Sequence, residues 1–561
     1  MVYPIDMYIR TVTRDNKNGT TTEYLQLAHN EWDKEKKRSN VNVLFNLGRK
    51  EEVDVKALER LVASIQKIID PSAHLKTVNG TLEILSAKVF GGAWFLDQLW
   101  KRLGIGSSIR QLLSEREFEI PIERAIFAMV ANRVLEPGSK LSAEHWVNEC
   151  VYIPSLPEVS VHQLYRSMDF LLEHDAKIQE DVFFSVASVM NLEVDLIYFD
   201  TTSTYFEIEN PDESNGNGSN EDALRQYGHS KDHRADLPQA VIGMAVTKEG
   251  IPIRCWVFSG ETADVSVVEQ VKKDLNGWKL GRVVSVMDRG FASDDNFVKL
   301  QIAGGHYIIG EKMRAGKPDV TAAMSKKGPF TKLRENLQYK ECIVGDGERR
   351  VRYVIVFNPA EAEKNRLTRE KHIKTLEEEL KKLGDLEGKV YTKTVCALVA
   401  HRVYKRYLKT LESGKLIIDK AKIAAEEKLD GKYLIRTSDD SLSPADIVLG
   451  YKQLMDIERG FRTLKTDLEL RPVYHRTSDR IKAHVLLCWL ALLLIRVAEN
   501  ETGKTWFNLD RALDPLKLIM LRSPDGTVSQ CTAISVEQKS IFSACKLQIP
   551  AKILGFGSAD H

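Results

Sequence analysis

Apolar positions along this chain change period several times, and each change marks a new element. Near the amino terminus MYIRTVT, TTEYLQLAH and VNVLFNLG alternate in the two-residue rhythm of strands, with a turn from Asp15 to Gly19 joining the first two. VDVKALERLVASIQKII follows in the 3/4 spacing of an amphipathic helix, so residues 1–75 read as a small α+β unit. From 80 to 190 the rhythm is helical, in FGGAWFLDQLWKRLG, IERAIFAMVANRVLEPG and VHQLYRSMDFLLEHD, punctuated by Gly104, Pro137 and Gly138. A helix-turn-helix DNA reader fits such a stretch, although short apolar helices more often serve packing alone.

From Val194 the pattern becomes α/β. VDLIYFD and VVSVMD are β-branched and nearly continuous in apolar residues, as central strands covered on both faces must be. QAVIGMAVT and IPIRCWVFSG flank Lys248-Glu249-Gly250 as a hairpin, Ala263 to Trp278 and Ser293 to Ala303 read as helices, and HYIIG is a further strand. Antiparallel strands followed by β-α-β predict a mixed sheet. Between 311 and 430 the pattern breaks: MRAGKPDVTAAMSKKGPFTKL is basic and loop-like, ECIVGDGERRVRYVIVFNP is a hairpin, and Ala360 to Leu386 is a charged helix. That helix has only a thin stripe, Ile373, Leu376, Leu380 and Leu383, which suits a coiled hairpin with residues 402–428 or an exposed strut. The sheet resumes at GKYLIRTSD, giving a core of 194–310 and 431–500 around an insertion of 311–430; residues 501–561 are weakly patterned and read as an appendage.

The stretch Tyr451 to Lys465, opened by Ser443-Pro444, carries the first candidate chemistry. Rotation of about 100° per residue puts Leu454, Ile457, Phe461, Leu464 and Leu468 on one core-facing stripe. Glu458 lies roughly 90° from the centre of that stripe, on a face shared with Tyr451 and Lys465. Asp200 and Asp288 close the two apolar runs, at the carboxyl edge where open α/β sheets place ligands. Either aspartate alone is as readily a turn or helix cap. Three carboxylates in one place repel one another unless cations are bound, so such a cluster implies divalent metal.

Composition narrows the picture little. The 561 residues exceed one core, and 43% hydrophobic and 28% charged residues are ordinary for a globular protein. A net charge of +1 gives no global nucleic-acid signal, so any DNA surface must be local. From Arg459 to Lys482 there are seven Lys or Arg against three acids, which reads as a DNA track better than as a solvated flank. Upstream, the polar stretch Glu207 to Ala223 reads as a mobile loop, and YGHSKDHRADLPQ then gathers Lys231, His233 and Arg234 where they could hold phosphate near Asp200. The seven cysteines form no Cys-x-x-Cys pair, which argues against zinc and against a disulfide framework. The longest apolar run, Val485 to Ile495, falls short of the ~20 residues that span a bilayer, so no membrane role and a cytoplasmic location are expected.

Asp200 with Thr201-Thr202, then Asp288-Arg289-Gly290-Phe291, then Tyr451, Glu458 and Lys465 resemble the DDE transposases of bacterial insertion sequences. The nearest subgroup has a Tyr-x2-Arg-x3-Glu-x6-Lys signature, from which this chain departs by placing Leu454 at the arginine position. The resemblance implies a ribonuclease-H-like catalytic core, DNA cutting and joining, and two Mg2+ ions, with Mn2+ as a substitute, at Asp200, Asp288 and Glu458, of which Asp200 would bridge both. It implies double-stranded DNA as partner, at element ends and target, and a homodimer when DNA is bound. The expected DNA contacts are Lys231, His233, Arg234, Arg289, Tyr451, Arg462 and Lys465, with Arg462 standing in for the absent arginine. Leu454 is expected on the core stripe. Two rival functions are a metal-dependent nuclease of the same fold that does not rejoin strands, and a DNA-binding regulator without catalysis. No histidine is followed three positions later by arginine, which excludes the His-x-x-Arg element of a tyrosine recombinase.

Overall fold

The two β-branched runs become neighbouring parallel strands at the middle of a nine-stranded mixed sheet. The computed structural model describes residues 7–16, 21–33, 38–69, 83–113, 121–192, 194–213, 223–278, 283–302, 305–314, 316–523 and 526–558. The sheet order is Thr331–Arg334, Leu337–Val344, Val351–Phe357, Lys432–Thr437, His306–Glu311, Val284–Met287, Leu196–Tyr205, Gln239–Val246, Pro252–Ser259. Leu196–Tyr205 runs parallel to Val284–Met287, which runs parallel to His306–Glu311, and the outer pairs are antiparallel. This is the mixed α/β sheet expected of a ribonuclease-H-like core.

Both faces of the central strands are covered, which is why their sequences do not alternate. On one face Phe199, Ile197 and Trp256 pack with Phe183, Val268, Val271, Phe297 and Leu300, contributed by helices Asp175–Met190, Val268–Asn276 and Asp294–Gln301. On the other lie Pro444–Lys452 and Leu454–Thr466, with Ser478–Thr502 behind them. Ser478–Thr502 is 25 residues long and apolar enough to cross a membrane, so its length does not decide the matter as expected; its apolar window is 94% buried inside the protein. It is a core helix.

The insertion is less separate than its sequence suggests. Its hairpin strands Leu337–Val344 and Val351–Phe357 extend the central sheet through Lys432–Thr437. The basic stretch after Glu311, expected as loop, holds a helix at Pro318–Ser325 and a strand at Thr331–Arg334. The thin stripe of Pro359–Leu383 is buried after all: Leu376 packs with Leu398, Tyr407, Leu408 and Leu416 in a small core of its own. The nine-residue polar stretch 214–222 of the expected mobile loop lies outside the described residues.

The chain divides into two compact units, one made of residues 1–86, 520–530 and 553–561, the other of 87–519 and 531–552. In the first, Met7–Asp15, Thr21–Asp33 and Arg38–Arg49 form an antiparallel sheet in that order, followed by helix Val55–Ile69. In the second, the helical region is packed from within: thirteen residues of the fourteen-residue helix Ile122–Leu135 are buried, leaving no face for a DNA groove. The helix Trp506–Leu513 joins it, Trp506 Nε1 donating to Val134 O at 3.3 Å, and Arg102 pairs with both oxygens of Glu501 at 2.5 and 2.6 Å. Residues 501–561, read from sequence as an appendage, are thus shared between the two units.

One cluster of buried charge in this region is paired throughout. Arg124 donates to Asp97 at 2.6 Å and to Glu123 at 2.6 and 2.8 Å, while Trp100 Nε1 donates to Glu123 at 2.7 Å. Removing the guanidinium takes away the buried counter-charge and leaves the two carboxylates only the exposed Lys101, 2.7 Å from Asp97, and Arg110, 3.2 Å from Glu123. Arg124→Met is therefore expected to destabilise the protein by about 3–5 kcal/mol in urea unfolding, the cost of breaking one side of a buried pair; a loss below about 1 kcal/mol would show that water already screens the cluster.

Candidate active site

The register of the central strands brings two acids together. Phe199 is the parallel partner of Met287, so Asp200 and Asp288 follow at the same level. Asp200 is not at a strand end as its sequence suggests: its strand continues to Tyr205, antiparallel to Gln239–Val246, and Thr201, Thr202 and Ser203 are buried strand residues, not a turn. What ends at this level is the neighbour, which turns away after Met287 and leaves Asp200 open on that side. The two strands thus deliver both carboxylates to one rim by different routes.

The third carboxylate arrives on a helix that the sequence presents as continuous and the structure breaks. Pro444–Lys452, capped by Ser443, ends at Gln453, and a separate helix runs from Leu454 to Thr466. Tyr198 Oη donates to Gln453 Oε1 at 2.5 Å and pins the break. Tyr451 therefore does not share a helical face with Glu458 and Lys465. Ile457, Phe461, Leu464 and Leu468 are buried as the stripe predicts, but Leu454 is only half-buried. It lines a cavity of about 300 Å³ together with Asp200, Asp288, Tyr451, Met455 and Glu458. All three acids therefore face one cavity, and Leu454 sits among them instead of in the core.

The electrostatics of this cavity favour a cation. Burial pushes the Asp200 carboxyl up to about 6, against the lowering pull of Lys231 and of the Thr201 amide, with Asp264 and Asp288 adding to the rise. Tyr451 donates to Asp288 Oδ1 at 3.2 Å, and burial together with that carboxylate pushes the phenol far up, so it stays a donor. The Glu458 side chain is exposed and makes no ion pair or hydrogen bond among the described residues, with Arg462 or any other. Asp200 Oδ2 likewise accepts no hydrogen bond there. Hard carboxylate oxygens left unbonded around one cavity are the donor chemistry that divalent cations take. The side chains do not yet converge, since the described residues include no group of three acidic, His or Cys side chains close enough to hold a metal.

The expected DNA contacts divide. Lys231 turns inward, its ammonium 3.5 Å from Asp200 and 3.3 Å from Asp264. Lys465 pairs with Asp232 at 2.7 Å, which Arg471 also reaches at 3.0 Å, so Lys465 belongs to a different wall, with Arg471, Tyr474 and His475. Arg234 pairs with Asp236 at 2.9 Å and lies over the Tyr205 ring, and His233 takes a left-handed conformation with φ 60° in the intervening turn. Arg289 follows Asp288 and is exposed. Arg462 is exposed and, with Arg476, makes no ion pair among the described residues. Sequence reasoning missed Asp264, which reads as one acid at a helix start, and Asp232, whose partners are far apart in the chain.

One glycine is required by this arrangement. A Cβ on Gly310 would stand 2.2 Å from Tyr451 Oη and 3.2 Å from the Arg289 nitrogen, so the phenol reaches Asp288 only because strand His306–Glu311 carries no side chain there. The ring is also stacked on Tyr433, centroids 5.7 Å apart, and has little room to yield. Gly310→Ala is expected to cost about 1–3 kcal/mol from overpacking. Adding Tyr451→Phe should recover much of that stability in thermal melts; no recovery would place the clash elsewhere.

A family model described as Transposase DDE domain matches residues 207–494, a span that contains Asp288 and Glu458 and begins just after Asp200. A second, described as IS1634 family transposase, N-terminal domain, matches residues 9–72. No curated protein matches this chain. A solved structure titled cryo-EM structure of piggyBac transposase synaptic complex with hairpin DNA aligns with 75% of this chain and 78% of its own, at 12% identity and a TM-score of 0.33.

Proposed function

This chain belongs to the DDE transposases, and from that premise we propose that it cuts and joins DNA at insertion-sequence ends with Asp200, Asp288 and Glu458 as its catalytic carboxylates. The observation that supports the assignment is that all three line one cavity, carried there by two adjacent strands and a helix. Enzymes of this family depend on divalent metal, and we assign two Mg2+ ions, replaceable by Mn2+, to these three residues. When bound they supply a nucleophilic oxygen at neutral pH and charge compensation for the leaving oxygen.

The residues of the chain divide the remaining tasks. Asp200, rigid in mid-strand and held through Oδ1 by the Thr201 amide at 2.7 Å, offers Oδ2 to the cavity. Asp288 is oriented by the Tyr451 phenol. Glu458, exposed and unpaired, is free to complete the ligand set once a cation is present. Glu458→Ala is expected to abolish Mg2+-dependent nicking of an end-bearing duplex while leaving gel-shift binding intact; nicking at the wild-type rate would remove Glu458 from the site.

DNA is held, in this reading, by Arg462 and Arg476, which make no ion pair among the described residues, with Arg289 beside Asp288. Lys231, Arg234 and Lys465 are engaged within the protein. Arg462 takes the place of the arginine that Leu454 displaces. Arg462→Ala should weaken binding of element ends and reduce its log–log salt slope by about one unit, without loss of stability. An unchanged slope would make Arg462 a bystander. Two ends must be held at once, so the DNA-bound species is a homodimer, with the 311–430 segment reaching to DNA or partner; light scattering that finds one protomer on paired ends would refute it. The reaction takes place where the chromosome is, in the bacterial cytoplasm.

A further inference from the structure

Lys231 is held in a manner unlike a DNA-facing lysine. Its ammonium donates to Thr201 O at 2.8 Å and to Thr201 Oγ1 at 2.7 Å, and lies 3.3 Å from Asp264 Oδ2 and 3.5 Å from Asp200 Oδ1. Two carboxylates, a carbonyl and a hydroxyl form the oxygen set that a hard cation takes, and here a side-chain ammonium fills it. The cage is closed by a hydrogen bond from Thr201 Oγ1 to Asp264 Oδ1. The backbone is fixed as well, since Lys231 N donates to Ser203 Oγ at 2.9 Å. Just upstream, Gly228 approaches Gly260 so closely that a Cβ would stand 1.9 Å from the Gly260 carbonyl oxygen. The Thr201 and Ser203 contacts tie the loop to the strand that carries Asp200, and the Gly228 approach ties it to the end of strand Pro252–Ser259.

The cage lies beside the catalytic cavity and is not part of it. Lys231 and Asp264 line a neighbouring cavity with Ser203, His229 and Gly290, whereas Asp200 lines the one with Asp288 and Glu458. Asp200 thus stands between two places a cation could sit. Its Oδ1 is occupied on the Lys231 side by the Thr201 amide and the ammonium, and its Oδ2 accepts nothing among the described residues.

Resting on the assignment of Asp200, Asp288 and Glu458 as metal ligands, we propose that Lys231 is a resident cation of the active site. It occupies the seat between Asp200 and Asp264, orients Asp200 through Oδ1, and keeps exchangeable divalent metal on the Asp288 and Glu458 side. Lys231 is in this sense a positioning residue. Without it, two neighbouring carboxylates lose their counter-charge, and the relief of their repulsion makes metal binding tighter but misplaced.

The test titrates Mn2+ alone into the full-length DNA-free protein by calorimetry and measures nicking at saturating Mn2+. For Lys231→Met the expected result is a split: the Mn2+ dissociation constant falls by roughly tenfold or more while maximal nicking falls by about a hundredfold. Lys231→Arg, which keeps the charge, should retain the wild-type Mn2+ affinity, and adding Asp264→Asn to Lys231→Met should return the affinity toward wild type. Should Lys231→Met not fold, Lys231→Gln makes the same measurement. Mn2+ affinity that is unchanged or weaker in the uncharged variant overturns the proposal. So does a loss of about one unit from the salt slope of DNA binding, which would make the ammonium a phosphate contact. Failure of the underlying assignment shows separately, as wild-type protein whose Mn2+ uptake is unaffected by Asp288→Asn and by Glu458→Ala.

Discussion

The structure turns on one like-charge problem. Parallel pairing of Phe199 with Met287 obliges Asp200 and Asp288 to stand side by side, and Asp264 approaches Asp200 from the opposite flank. Carboxylates so placed repel one another, and most of the neighbourhood can be understood as compensation. The Thr201 amide and Lys231 answer the charge of Asp200, and the Tyr451 phenol answers that of Asp288. Glu458 has no such partner among the described residues, so its charge is the one left uncompensated at the cavity. The buried Asp97, Glu123 and Arg124 cluster solves a related problem by full pairing and is consequently inert.

Much of the sheet could be read from residue order, because burial on both faces leaves a run of β-branched residues that nothing else produces. The helices 91–102, 122–135 and 161–173 were legible for the same reason, their periodicity being imposed by a core. What could not be read was where a neighbour stops. Asp200 looked terminal since polar residues follow it, yet Thr201, Thr202 and Ser203 continue the strand, the Thr201 and Ser203 hydroxyls bonded to groups distant in the chain. The sheet extension by residues 337–357 was hidden likewise, since a hairpin carries no mark of what its outer edge will pair with.

That Asp200, Asp288 and Glu458 belong together was legible from their order and spacing, and they do line one cavity, while the partners of the cations around them were not legible. A lysine in a glycine-bounded loop and a lysine at the end of a helix look alike in sequence whether they face solvent or a carboxylate. Lys231 and Lys465 both chose a carboxylate, Asp264 with Asp200 for the one and Asp232 for the other, over separations no local pattern encodes. Leu454 failed for a different reason: a helical wheel assumes an unbroken helix, and the wheel here spans the turn at Gln453.

That turn has a consequence for how the two groups are placed. Tyr451 and Glu458 stand on separate rigid bodies joined at one residue whose side chain is tethered to Tyr198 on the central sheet. The core stripe of the second helix, Ile457, Phe461 and Leu464, fixes where the Glu458 carboxylate stands, while the first helix fixes the phenol on Asp288. The two groups are therefore placed by separate helices, and a change in the packing of one does not by itself carry over to the other.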